Sequence, residues 1–186
     1  MILKIFVTGD SSIDKLDIAK KIIKKNDDLS IAPKFTNDIS HKDKTGDNYI
    51  YYMDSVDVDL SYKNNAFLYA KTDNYITTGI TLDSFYNNDV FPISIYEFNT
   101  IADCILYSYD SLIIWVDTKK HRKSNDEDAQ SVDHLIERTN ELTTLYFLDE
   151  EPEHIAETVI NYINGTIEER QNIIEENSWF WNIKKF

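Results

Sequence analysis

Short apolar runs rich in β-branched residues alternate along the chain with stretches in which apolar residues recur every three or four positions. The run ILKIFVT (residues 2–8) stops at Gly9 and is followed by SIDKLDIAKKIIKK, with apolar residues at Ile13, Leu16, Ile18, Ala19, Ile22 and Ile23. That order predicts a strand, a turn and an amphipathic helix. Further on, TLDSFYNND predicts a short helix, VFPISIYEF a strand, FNTIADCILYS a helix and SLIIWVD a buried strand. DEDAQSVDHLIERTNEL predicts another helix, TLYFLD a buried strand and EPEHIAETVINYIN a clean amphipathic helix. A mixed polar and aromatic stretch, residues 29–80, contains DNYIYYMDSVDVDLSY, whose alternation predicts small antiparallel strands in an inserted subdomain. The tail, residues 166–186, adds a helix and an aromatic end. Strands alternating with helices predict one α/β domain over residues 1–186, a three-layer fold with a parallel sheet covered on both faces. In such a sheet the ligand site lies beyond the carboxyl ends of the strands, where Gly9 opens the first turn.

At 186 residues and 42% hydrophobic content the chain is long enough to build a sizeable core. No apolar run approaches the roughly 18 to 20 residues of a membrane span, and the first strand-like stretch lacks the length and flanks of a secretion signal. A cytoplasmic protein that does not enter membranes is expected. A single cysteine, Cys104, excludes an internal disulfide framework, and the four histidines show no metal-ligand spacing. A net charge of -14 would repel a phosphate backbone, which argues against general nucleic-acid binding. The basic run KKIIKK (residues 20–25) reads as the solvated face of a helix. Abundant Asn, Ile, Lys and Tyr with few glycines suggest an AT-rich source such as a virus or phage, and then a host-cell cytoplasm.

Candidate chemistry begins at the first turn. A phosphate-binding loop of the form GxxxxGK[ST] needs glycines so that backbone N–H groups converge on phosphates, a lysine for the β/γ charges and a hydroxyl for magnesium. The frame here is Gly9, Asp10, Ser11, Ser12, Ile13, Asp14, Lys15, Leu16. The lysine is kept; the second glycine is Asp14 and the hydroxyl is Leu16. Gly9, Ser11, Ser12 and Lys15 are the candidate phosphate contacts. Alternatively the segment is a plain turn and helix cap, with Asp10, Ser11 or Ser12 accepting from the first helical N–H groups.

The chain as a whole resembles the guanylate kinase family of nucleoside monophosphate kinases. The resemblance rests on TGDSSIDKLD after the first strand, KFTND (residues 34–38), GDNYIY (residues 46–51) and AFLYAKTDNYITTG (residues 66–79), in the family's order. It implies a nucleotide-binding site in which Lys34, Tyr49, Tyr75, Thr77 and Thr78 face an acceptor such as GMP, and a lid at residues 118–130 with Arg122 as a catalytic partner of Lys15. The family's acceptor arginines are absent, and Tyr69 stands where its base-reading glutamate would be.

Several departures on one reaction favour a degenerate, non-catalytic domain acting as a protein-binding or structural module, with no cofactor. Trp179, Phe180 and Trp181 are candidate anchors for a protein partner, since large aromatics dominate interfaces, unless they pack back on the domain. The alternatives are a divergent kinase using ATP and magnesium, or a nucleotide sensor that binds GMP or ATP without turnover.

Overall fold

A computed structural model describes residues 4–42, 49–86, 91–95, 111–120 and 143–178. Strand β1 (Lys4–Gly9) leads into helix α1 (Lys15–Lys25), then β2 (Leu29–Ile31) and β3 (Lys34–Thr36). After β4 (Ile50–Tyr52) come α2 (Ser55–Lys63), the hairpin β5 (Phe67–Asp73) and β6 (Ile76–Thr81), and α3 (Leu82–Tyr86). Strands β7 (Phe91–Ile95), β8 (Ser111–Asp117) and β9 (Thr143–Leu148) follow, then α4 (Pro152–Asn164) and α5 (Ile167–Glu176).

Among the described residues the main sheet is parallel throughout, with order β2-β7-β1-β8-β9. Strand alternation sorts its side chains into two layers. Ile5, Val7, Leu112, Ile114, Val116, Leu145 and Phe147 pack under α1 and α4. Phe6, Ile113, Trp115 and Tyr146 face the opposite side, where Phe85 of α3 and Leu68 and Ile80 of the second sheet cover them. All seven residues of β8 are buried, as a strand covered on both faces must be. The outer strand β9 is closed at one point by the tail, since the Tyr146 amide donates to the Asn177 carbonyl at 2.8 Å.

The run KKIIKK is more than a solvated face. Lys25 reaches Glu153 at 2.7 Å and Glu157 at 3.5 Å, and Lys21 reaches Glu153 at 3.6 Å, so the basic side of α1 is paired with the acidic side of α4. The Lys25 ammonium beside it holds the Glu153 carboxyl below its ordinary range.

The second sheet has order β4-β3-β6-β5 and differs from expectation in three ways. It starts at Lys34, because Leu29–Ile31 pairs with β7 in the main sheet. It is mixed, because β3 pairs parallel to β4 and antiparallel to β6. The stretch DNYIYYMDSVDVDLSY yields one short strand, and its second half is helix α2. Asp54 caps that helix, its carboxylate accepting from the amides of Val56 at 2.8 Å and Asp57 at 3.0 Å. The Val-Asp-Val-Asp-Leu alternation that suggests a strand is, on a helix, a division between inside and outside: Val58 is 3% exposed, whereas Val56 is 67% and Leu60 49% exposed. The expected helices at residues 98–108 and 126–142 lie outside the described residues.

This orientation of α2 predicts that Val58→Ala costs about 2 kcal/mol in urea unfolding, as a buried truncation does. Leu60→Ser should change stability by no more than about 0.5 kcal/mol. A larger loss at Leu60 than at Val58 would mean that the helix is rotated or is not formed.

Candidate functional site

The first turn is fixed by a close approach. Gly9 has φ 122°, and a Cβ there would lie 1.8 Å from the Val116 carbonyl oxygen, so only glycine lets β1 end against β8. The Asp10 amide then donates to that carbonyl at 2.9 Å. The Asp10 carboxylate turns back into the loop, accepting from the Ser12 amide at 2.8 Å and from the Thr118 hydroxyl. Asp14 caps α1, accepting from the amides of Leu16 at 3.0 Å and Asp17 at 3.1 Å. A helix N-terminus attracts anions through those amides. Here the Asp14 carboxylate sits on them, and the Asp10 carboxylate takes the Ser12 amide of the preceding turn.

Lys15 is buried and folds over the turn, with Nζ donating to the Asp10 carbonyl at 2.6 Å and the Ile13 carbonyl at 3.4 Å. Ser11 and Ser12 are exposed. Leu16 packs against the main core beside Ile13. At the end of β8, Asp117 is 1% exposed and accepts from the Thr118 amide at 2.9 Å and the Tyr146 hydroxyl at 3.1 Å. Through Thr118 this network joins the Asp10 carboxylate, so the carboxyl ends of β1, β8 and β9 are tied together.

A cleft of about 320 Å³ lies between the two sheets, lined by Lys34, Tyr69, Lys71, Thr78 and Ile95, with Asp73 also on its wall. Lys34 on β3 and Thr78 on β6 are thus brought to one place. Tyr69, where the resemblance puts a base-reading glutamate, is there too. Other candidates are not in the cleft. Thr77 points to the opposite face of β6, within 3.0 Å of the Thr72 hydroxyl, and its amide donates to the Asn37 side chain at 2.6 Å. Tyr75 is 96% exposed in a two-residue hairpin turn. Asn74 and Tyr75 both have positive φ there, 47° and 68°, a conformation suited to Asn and Gly more than to tyrosine. Tyr49 packs toward α1, with the Lys20 ammonium 5.2 Å from its ring centre, while its carbonyl accepts from the Lys34 amide at 2.7 Å.

Arg122, Trp179, Phe180 and Trp181 lie outside the described residues. Among the described residues no group of three or more His, Cys, Asp or Glu side chains could hold a metal ion. No described helix is long and apolar enough to cross a membrane. Sequence reasoning missed Lys71, whose signal was its alternation with Tyr69 on one strand. It also missed the bond from Thr118 to Asp10, which links positions 108 residues apart and leaves no local pattern.

No protein-family model matches the chain, and no curated protein matches it in sequence. Among solved structures, the guanylate kinase from Anaplasma phagocytophilum is similar with a TM-score of 0.59 and 10% identity, over 87% of this chain and 84% of that one. At that identity the likeness concerns the fold: the chain has a guanylate-kinase-like fold, a parallel sheet flanked by helices with a smaller second sheet.

Proposed function

We propose that this is a guanylate-kinase-like domain without phosphoryl-transfer activity, working as a protein-binding or structural module. The observation that carries the reading is the self-occupied first turn. Phosphoryl transfer depends on positive charge and free amides placed around the β- and γ-phosphates. Here Asp14 takes the amides of Leu16 and Asp17, and Asp10 takes that of Ser12. Leu16 has no oxygen to offer magnesium. Magnesium-ATP does not fit this turn, and the reading requires no cofactor.

The cleft between the sheets supports one second reading, a sensor that holds a nucleotide without turning it over. Lys34, Lys71 and Thr78 line the cleft with Asp73, so that two positive charges stand beside one negative, and Tyr69 adds a ring. A cleft between the sheets beside a self-occupied first turn separates either reading from a working kinase.

Titration calorimetry with GMP and with magnesium-ATP, alongside an assay for ADP, tests the proposal. No ADP should form, and ATP should show no binding up to about 1 mM, a free energy weaker than about 4 kcal/mol. GMP binding without ADP would favour the sensor. ADP formation that disappears in Lys15→Ala would defeat the non-catalytic reading.

A gain-of-function test addresses the cause. The double variant Asp14→Gly, Leu16→Thr restores the spacing GxxxxGK[ST] and removes the cap carboxylate. It should bind magnesium-ATP at least about tenfold more tightly than the parent, a gain of about 1.4 kcal/mol, at a stability cost of a few tenths of a kcal/mol from the cap exchange. If affinity does not rise, Asp14 is not what closes the turn.

A further inference from the structure

Of the four glycines, only Gly165 follows an asparagine. Asn164 is the exposed last residue of α4, and Gly165 opens the link to α5. That link needs glycine for space rather than for conformation: its φ is an ordinary -73°, but a Cβ would lie 2.8 Å from the Asn161 carbonyl oxygen. A residue without a Cβ leaves its own amide nitrogen unshielded. Among the described residues no hydrogen bond engages the Gly165 amide, whereas the residues after α1, α2 and α5 each donate back to their helix. None engages the Asn164 side chain either.

Other asparagines are tied down. Asn177 also precedes a small residue, but its side-chain nitrogen donates to the Ile173 carbonyl at 2.9 Å, and the Ser178 amide donates to the Glu175 carbonyl at 3.4 Å. The Asn37 side-chain oxygen accepts from the Thr77 amide at 2.6 Å. At Asn164 the nucleophile and the carbon it attacks are both unengaged and one ring closure apart, which makes their reaction intramolecular. The Gly165 nitrogen loses its proton to solvent base and bonds to Cγ of Asn164. The Cγ–Nδ2 bond breaks, the nitrogen leaves as ammonia, and a five-membered imide joins the two residues. Water then opens the imide. Opening at Cγ leaves aspartate at position 164. Opening at the main-chain carbonyl leaves isoaspartate, in which the chain runs through the former side chain and is one carbon longer. Water is the only co-reactant.

We propose that Asn164–Gly165 is a site of spontaneous deamidation, and that its isoaspartate product loosens the joint between α4 and α5. The joint is closely fitted. The Arg170 guanidinium of α5 donates to the Ile163 carbonyl at 2.6 Å and lies 5.5 Å from the ring centre of Tyr162, both on α4. Thr166 and Glu169 form a capping box, the Glu169 carboxylate accepting from the Thr166 amide at 2.7 Å and the Thr166 hydroxyl accepting from the Glu169 amide at 3.3 Å. An extra main-chain carbon between Ile163 and Thr166 changes the spacing on which these contacts depend. Helix α5 in turn holds Ile173 and Ile174 against the core, and the Asn177 carbonyl at its end accepts from the Tyr146 amide of β9. A slow chemical change at one exposed turn is thereby transmitted to the edge of the main sheet.

The test is to age the full chain in mildly alkaline buffer and map its peptides by mass, with electron-transfer fragmentation to separate isoaspartate from aspartate. Position 164 should convert at least about tenfold faster than Asn177, with isoaspartate in excess. Hydrogen exchange at the Tyr146 amide should be about fivefold faster in the aged protein than in the fresh one. Asn164→Gln, which would have to close a six-membered ring, should block both changes, and circular dichroism should show unchanged folding because the side chain is exposed. Asn164→Asp, measured fresh, adds the charge without the longer backbone and should leave Tyr146 exchange within about twofold of the fresh parent. Conversion at position 164 no faster than at Asn177 overturns the site. Conversion that leaves Tyr146 exchange unchanged overturns the loosening, and so does exchange that rises equally on ageing in Asn164→Gln or is already fast in fresh Asn164→Asp.

Discussion

The carboxylate of Asp14 receives the amides of Leu16 and Asp17, and the character of the first turn follows from having a fixed negative charge at that point. A phosphate arriving there must displace the cap, worth about 1 kcal/mol to the helix. It must then share the space with a like charge, and at 4 Å that costs between about 1 and 4 kcal/mol per unit charge across the range from water to protein surface. Lys15 offers attraction of the same order, but its Nζ is held by the carbonyls of Asp10 and Ile13, and the same turn carries the carboxylates of Asp10 and Asp14. One cation against two anions leaves the turn negative, the reverse of what an incoming polyphosphate needs.

The parts of the loop that survive have structural reasons to do so. Gly9 is needed because the backbone of β8 passes where its Cβ would be, whatever binds beyond it. Lys15 ties the turn together by bonding two of its carbonyls, so its side chain stabilises the loop in the absence of any phosphate. Truncating either residue would be felt first in folding. The retained glycine and lysine are therefore weak indications of chemistry, and the substituted Asp14 and Leu16 are the informative positions.

Much of the architecture was legible because burial on both faces writes a simple signal. SLIIWVD reads as a covered strand, and EPEHIAETVINYIN shows its buried residues Ile155, Ala156, Val159 and Tyr162 at helical spacing. Helix α2 was misread because its Val-Asp-Val-Asp-Leu run has the period of a strand, and only the cap at Asp54 marks it as helical. The parallel pairing of β3 with β4 depends on the path of the chain between them, which no local pattern records. In the site, sequence could name Lys34 and Thr78 as neighbours in function. It could not separate Thr77 from Thr78 without the register that places Phe35 opposite Gly79 and so fixes which face of β6 each side chain takes.

The net charge also gains meaning only from where it sits. On the α1 side, lysines meet acids of α4, so that Lys21 and Lys25 are spent on internal pairing with Glu153 and Glu157. Lys119 likewise lies 3.7 Å from Asp149, and Lys42 lies over the ring of Tyr52. Along α2, Asp54, Asp57 and Asp59 face water together with Val56, Leu60 and Lys63, outside any such pairing between elements. Exposed ion pairs contribute little to stability individually, so the α1 and α4 pairs serve mainly to neutralise one side of the molecule. The acidity of the composition is thus partly absorbed by pairing between elements, on the α1 and α4 side above all.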